Sequence, residues 1–506
     1  MKRGINKEIL KLAIPSIFAN ITVPLVGMVD IAVAGHIGGE AGITGGFTTA
    51  ALIGGIAIGT MLFDLLYWNF GFLRVSTGGL TAQAYGRWQA ALAAMGVPAG
   101  ASASSVTAGL SSAADDAERA RRDCADSLLR SIGIAMGTAF VLIAIQWIFV
   151  QAAFLVVKCT PEVRQLATQY FFIRIWAAPA TLSLMAFKGW FIGMQDSVSA
   201  MVTDLVVNGV NILASFFLSL GFAWMAGGNG WHGLGFAGVA LGTVTAQYAG
   251  LLCAVIFLLV KYRKKVFSNI GFSDFAKSFK GTDTGKFFSM NGDVFVRSLC
   301  FIAIYIGYTI ISARYGDVLL ATCSIMMKLL MIFSYFTDGF AYAGEAMTGK
   351  YIGAKDRESL SQSIRWNFVW CGGLSVLFMF IYGFGGVPLL KMMTTDPVVV
   401  AAAKAYIPWL LLMPVAGCAA FAWDGIYIGA TSTVYVRNAM IWATVAFFAV
   451  WFGGIWFFNP STAVAGFHAT DESAVHLLMA AYFAHLLART VVLTLRYKKA
   501  VYGSLA

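Results

Sequence analysis

The sequence predicts an all-α polytopic membrane protein whose twelve transmembrane helices form two pseudo-symmetric six-helix lobes. Three observations carry that prediction. Of 506 residues, 59% are hydrophobic and only 12% charged, which excludes an ordinary soluble globular chain. Apolar stretches long enough to cross a bilayer, about 20 residues each, recur along the whole length. A short pattern also occurs twice, as GWFIG at 189–193 and GIYIG at 425–429, each closing an apolar stretch at the corresponding place of one half. Internal duplication of this kind places a binding site between two copies of one bundle and points to transport.

The spans follow in order. The first, 10–37, begins after Met-Lys-Arg like a secretory signal, but it carries Asp30 and runs on to Gly38 without a cleavage site, as a first transmembrane helix does. The second, 45–80, leads into GGLTAQAYGR (78–87). Residues 88–126 are then Ala/Ser/Gly-rich and end in Asp115, Asp116, Glu118, Arg119, Arg121, Arg122 and Asp123. With so little apolar surface, this tract is expected to be a flexible cytoplasmic insertion. Spans 128–157, 165–194, 198–224 and 235–260 complete an N-lobe of residues 1–260. The basic stretch 261–287 is the expected cytoplasmic connector, and a C-lobe of 288–506 holds spans 288–313, 318–349, 366–390, 399–430, 432–458 and 473–495.

The net charge of +11 is informative through its distribution. With both termini cytoplasmic, the inner segments collect Lys2, Arg3, Arg119, Arg121, Arg122, Lys261, Arg263, Lys264, Lys265, Lys355, Arg357, Lys498 and Lys499, whereas the outer loops hold little beyond Lys158, Arg164, Arg314 and Lys391. This is the positive-inside pattern of a multi-pass protein in the lipid bilayer, and it makes the basic excess a topology signal, so no nucleic-acid partner is expected. The seven cysteines stand singly with no CxxC, the five histidines form no HExxH, and GTDTGK at 281–286 lacks the spacing of a phosphate loop. No metal site and no cofactor are expected. An intramembrane enzyme is a distant alternative that a label on an active serine or on His476 would reveal.

Ionisable side chains inside spans are costly and mark functional candidates. In the first half these are Asp30, which follows the kink-permitting Pro24, and Lys188 and Asp204. Lys188 is expected to pair with Asp30 or Asp204, and Asp204 to serve the N-terminal dipole of its helix. In the second half Asp293, Arg297, Lys328, Asp338, Glu345 and Asp424 form a nearly balanced set, equally readable as lobe-stabilising bridges or as functional groups. Trp68, Trp176 and Trp190 are candidates to line a cavity and hold an organic cation.

The runs LAIPSIFANITVPLVGMVDIAVAGHIG, YWNFGFLRVSTGGLTAQAYGR (67–87), SYFTDGFAYAGEAMTGKYIGA (334–354) and WDGIYIGAT (423–431) resemble the multidrug and toxic compound extrusion (MATE) transporters of the DinF-like branch. The resemblance covers the chain apart from 88–126. It implies a monomeric inner (plasma) membrane antiporter that exports organic, cationic xenobiotics or metabolites in exchange for protons or sodium. It further implies that Asp30 is the cation-coupling residue, that Asn208 and Asn211 belong to an NxxNIxxD motif whose terminal acid is Ser215 here, and that Thr243 is the threonine of GxAxxT. Lys188 stands where related members have an asparagine, Asp424 matches a C-lobe cation ligand of another branch, and Arg297 lies near the position of a missing seventh-helix acid. A lost acid and a gained lysine disfavour sodium, so protons are the expected coupling ion, with Lys188 competing for Asp30. The rival within transport is a lipid-linked precursor flippase, for which Arg74, Arg174 and Arg297 would bind head groups.

Overall fold

The computed structural model describes residues 2–37, 47–96, 111–157, 159–221, 231–268, 278–279, 283–394, 396–458 and 471–505. Among them there is no strand. Twelve long helices follow one another: α1 Lys2–Ile37, α2 Thr49–Ala94, α3 Ser111–Val156, α4 Pro161–Gly193, α5 Ser197–Leu220, α6 Phe236–Tyr262, α7 Asp283–Ser312, α8 Asp317–Gly353, α9 Arg357–Met393, α10 Ile407–Gly429, α11 Thr433–Phe458 and α12 Asp471–Val501. A short helix, Pro397–Lys404, precedes α10. Eleven of the described helices, α2 to α12, are long and apolar enough to cross a membrane.

Local chemistry sets their ends. The Thr48 and Thr160 hydroxyls accept from the Ala51 and Val163 amides at the starts of α2 and α4, and Pro161 occupies the first turn of α4, where its missing N–H costs nothing. Asp196 and Asp356 cap α5 and α9 in the same way. Three helices end alike. Gln195, Lys355 and Thr431 take positive φ, and the amides of Asp196, Asp356 and Ser432 reach back to Phe191, Tyr351 and Tyr427, the bond of a left-handed helix terminus. Within α4 the turn Ile175–Ala177 is 3-10, because Pro179 has no N–H to give the Ile175 carbonyl.

The helices divide into two compact units, residues 18–285 and residues 1–17 with 286–506. The first unit packs Phe63, Phe154, Tyr170, Phe171 and Phe236 into its core, the second Phe333, Phe378, Tyr382, Tyr406, Phe447 and Tyr482. Large apolar side chains such as Phe140, Trp147, Leu155, Phe380, Phe384 and Trp456 are exposed, as helices facing acyl chains require.

The duplicated pattern is a packing device. A Cβ on Gly189 would lie 2.2 Å from the Arg74 carbonyl oxygen of α2, and one on Gly425 would lie 1.9 Å from the Ala341 oxygen of α8. Gly193 meets the Gly78 oxygen at 2.8 Å, and Gly429 meets the Glu345 oxygen at 2.3 Å. Each unit therefore presses one helix backbone onto another through glycine. The contacts also set the register of the repeat, with residues 74 and 78 equivalent to 341 and 345.

Three expectations change. First, α2 extends to Ala94 and α3 begins at Ser111, so of the supposed flexible insertion 88–126 only 97–110 lie outside the described residues. Residues Ala117, Ala120, Arg121, Cys124, Ala125 and Leu128 are buried at helical spacing, which anchors the extension of α3 as an amphipathic helix. Arg87 pairs with Asp123 at 2.8 Å, Arg121 bridges Glu118 and the Val266 carbonyl, and Arg130 donates to the Ser278 carbonyl at 2.9 Å. Second, the expected connector 261–287 is partly helix: α6 runs to Tyr262 through a π turn and α7 starts at Asp283. Third, the start of α1 packs with the second unit, not with the N-lobe 1–260. Lys350 pairs with Glu8 at 2.9 Å, the Trp370 indole donates to Asn6 at 2.5 Å, and Gly339 admits Ala13 and Ile17 of α1.

Candidate functional site

Each unit buries charged side chains among its spans. In the first, α5 and α6 approach closely, because Gly242 lies against the Ser215 backbone and Gly238 against Leu218. That contact brings the Asn211 amide to the Thr243 hydroxyl at 3.0 Å and seats the Ser215 hydroxyl near the Val239 carbonyl at 3.4 Å. Asp30 of α1 points into the same place and is only 5% exposed. Ser215 is its hydrogen-bonding side-chain neighbour, while its Oδ1 is buried without a hydrogen-bond partner. The Asn208 amide donates to Thr22, two residues before Pro24 on α1. Asp30, Asn211, Ser215 and Thr243, the residues that the resemblance singles out, thus form one cluster. Pro24 lies inside a continuous α1, and the division between the units falls earlier, after Ile17.

The charged neighbour of Asp30 is Arg174, not Lys188. Arg174 of α4 is held by Tyr170 at 3.1 Å and Thr60 at 3.4 Å, with its guanidinium over the rings of Phe63 and Tyr170. Its side chain is thereby fixed at the end of the α-helical stretch that precedes the 3-10 turn Ile175–Ala177. Lys188 pairs with Asp204 at 2.7 Å, both side chains about one quarter exposed, at 23% and 25%. Asp204 consequently serves a lysine, and the helix-start role expected of it belongs to Asp196. Trp190 is fully buried and donates to the Cys124 carbonyl at 2.8 Å, so it is a core residue and lines no cavity.

In the second unit Asp424 of α10 is clamped by two arginines. Arg297 of α7 donates to Oδ2 at 2.9 Å, and Arg489 of α12 donates to both oxygens, with Nε 3.2 Å from Oδ1. Arg489 lies over the Phe421 ring, 5.4 Å from its centroid. Arg437 and Thr433 of α11 hold Asp293 at 2.7 and 2.8 Å. Of the remaining candidates, Lys328 is exposed, Asp338 is half-buried and Glu345 is fully buried. The sequence places Arg297 beside Asp424, but it does not mark Arg489 and does not set Arg174 beside Asp30. Nothing local marks either arginine, since their partners stand 65 and 144 positions away (489 − 424 and 174 − 30).

With Arg297 and Arg489 engaged, Asp424 has little capacity left to ligate a metal ion. Among the described residues no three His, Cys, Asp or Glu side chains converge on one.

The MatE family model matches residues 91–217 and 294–453. DNA damage-inducible protein F of Escherichia coli (strain K12) is 29% identical over 443 residues, 87% of this chain and 84% of that protein. Protein DETOXIFICATION 43 of Arabidopsis thaliana is 25% identical over 281 residues, 54% of this chain and 48% of its own length. A MOP superfamily transporter from Pyrococcus furiosus superimposes with a TM-score of 0.72 at 15% identity, covering 99% of this chain and 97% of that one. A Vibrio cholerae MATE transporter in a bent form does so with a TM-score of 0.73 at 13% identity, covering 99% and 98%. At these identities the structures share the twelve-helix MATE fold.

Proposed function

The family match spans more than half of the chain, which therefore belongs to the MatE family of multidrug and toxin efflux transporters, and from that premise we propose that it is a proton-coupled antiporter. In this reading it exports an organic, cationic compound across the plasma membrane by alternating access, with both termini in the cytoplasm, as the basic loops favour. The observation that carries the reading is Asp30: a carboxylate buried in the membrane span, one oxygen without a hydrogen-bond partner, beside Ser215, Asn211 and Thr243, and facing one fixed guanidinium.

That arrangement has two self-consistent states. With Arg174 close, the ionised carboxylate is balanced by the guanidinium. With Arg174 withdrawn, or with its charge directed elsewhere, a neutral acid with Ser215 as its neighbour is favoured instead. A movement of α4 relative to α1 can therefore load and release a proton without a metal. Arg174 takes the competing role first expected of Lys188, whose charge is directed to Asp204. The flippase alternative loses support because Arg297 is engaged with Asp424.

The test is accumulation of a fluorescent organic cation in cells making the protein. Lower accumulation than in control cells, restored to the control level when a protonophore collapses the gradient, supports the reading. Accumulation indifferent to the protein, or export that survives collapse of the proton gradient but not removal of sodium, opposes it.

A further inference from the structure

The second unit carries a basic cleft where α12 ends. Arg357 and Ser361 of α9, Tyr497 and Lys498 of α12, and Tyr502 of the 3-10 turn Tyr502–Leu505 line a surface cleft of about 400 Å³. No acid is among them. The acids that flank Arg357 in sequence are engaged on α9 itself: Asp356 caps the Ser359 amide at 3.0 Å, and Glu358 accepts from Gln362 at 3.0 Å. Among the described residues of this unit, the buried and half-buried cations each have a carboxylate, Lys350 with Glu8, Arg437 with Asp293, and Arg297 and Arg489 with Asp424. Arg357 and Lys498 are exposed and have none, yet they converge on one cleft.

Its walls are built. The Arg357 guanidinium lies over the Tyr502 ring, 5.5 Å from its centroid, and Tyr502 stands edge-on to Tyr497 at 6.2 Å, which in turn packs on Trp423 at 5.1 Å. The Ser504 and Ser432 hydroxyls both donate to the Ala500 carbonyl, at 2.9 and 2.8 Å, and so tie the turn that bears Tyr502 to the α10–α11 loop. A site assembled before its ligand arrives loses less entropy on binding. The first unit offers a contrast, because its α3 and α6 correspond by order to α9 and α12. There Arg121 of α3 pairs with Glu118 at 2.6 Å and donates to the Val266 carbonyl just beyond α6, so the protein itself uses the arginine.

The helices that form the cleft also say what enters it. On α12, Leu487, Val491 and Leu495 are exposed at four-residue spacing, and Lys498 continues the same face. On α9, Arg357, Ser361 and Arg365 recur at the same spacing toward the exposed Val369. Each helix thus leads an apolar, lipid-facing stripe into the basic cleft. A free phosphate would use the cations alone, whereas an amphipathic anion uses both.

We propose that this cleft binds the headgroup of an anionic phospholipid, with Arg357 and Lys498 balancing the phosphate, the Ser361 hydroxyl donating to it, and the acyl chains lying along α9 and α12. Basic pockets between membrane helices suit such headgroups, and hydrogen bonds from charged donors to phosphate are strong. The site is independent of Asp30 and of the coupling ion.

The experiment measures thermal unfolding of the purified full-length protein in neutral detergent at fixed pH and ionic strength, as phosphatidylglycerol, phosphatidylcholine or inorganic phosphate is added. The wild-type midpoint should rise with phosphatidylglycerol, because a ligand of the folded state stabilises it by mass action, and should rise little with the other two. Arg357→Gln combined with Lys498→Gln should need about tenfold more phosphatidylglycerol, or more, for the same rise. Arg496→Gln combined with Lys499→Gln removes the same charge from exposed positions that do not line the cleft, and should respond as wild type. All four side chains are exposed, so both variants should fold. An equal rise with phosphatidylcholine, an undiminished response in the first variant or an equal loss in the second overturns the proposal. A rise with inorganic phosphate that matches the lipid's makes the cleft an ion site and overturns its lipid occupant.

Discussion

Asp424→Asn is nearly isosteric and removes only the charge that two arginines share. The Asp424 and Arg489 side chains are 8% and 5% exposed, and that of Arg297 is 27% exposed. Removing one partner from a buried ion pair costs about 3–5 kcal/mol. The partial exposure of Arg297 pulls the figure toward the lower end, whereas repulsion between the two guanidiniums pushes it up. At a separation of about 5 Å and an effective dielectric constant of about 20, that repulsion is ~3 kcal/mol. We therefore expect Asp424→Asn to lose about 3–5 kcal/mol, measured by denaturant titration in mixed micelles. Replacing Arg297 by Met in the Asp424→Asn background should recover about 1–3 kcal/mol, since the two sites are directly coupled. Transport per folded molecule should stay close to wild type. Unchanged stability in Asp424→Asn, or no recovery on removing Arg297, would refute the clamp. Loss of sodium-driven transport in a stable Asp424→Asn would make the residue an ion ligand instead.

Gly429→Ala forces a Cβ within 2.3 Å of the Glu345 carbonyl oxygen and should cost about 3 kcal/mol, the upper part of the overpacking range. Gly372→Ala in α9 meets nothing within 4 Å and should be neutral or stabilising by up to about 1 kcal/mol, so equal effects of the two would discredit the packing role of the repeat. Burial alone would raise the Asp196 carboxyl, but hydrogen bonds from Ser199, Tyr262 and Lys261, at 2.6, 2.8 and 3.1 Å, hold it below its usual range. A lowered folded-state value means that this stability is present above the unfolded value, about 3.9, and is lost as pH falls through the folded one. Asp196→Asn should therefore melt earlier than wild type at pH 7, and the gap should close on acidification below about pH 4; a gap independent of pH would refute the assignment.

The parts of the fold legible in the sequence were those set by local composition and by spacing. Apolar spans of bilayer length mark themselves, and GWFIG and GIYIG lie at equivalent places because both must accept a carbonyl oxygen where a Cβ would stand. Asn211, Ser215 and Thr243 were legible only through the family resemblance, and their contact follows from small residues between α5 and α6. The extension of α3 was misread because alanine and serine bury little surface per residue. The spacing of Ala117, Ala120, Cys124 and Ala125 nevertheless marks a helical stripe that hydropathy alone overlooks. Ion pairing was the least legible feature. Asp30 was set against Lys188, whereas Arg174 is the cation that faces it, and which of two cations on one helix faces an acid on another is fixed by helix packing that charge counting along the chain does not register.

In the proposed mechanism the Asp30 carboxylate carries the coupling proton. Its most direct test is proton movement into or out of proteoliposomes holding the purified protein and a pH-sensitive dye, when an organic cation gradient is imposed. Wild type should move protons against the cation, and Asp30→Asn should bind the cation yet move no protons. Proton movement at the wild-type rate in a folded Asp30→Asn would show that another group carries the proton.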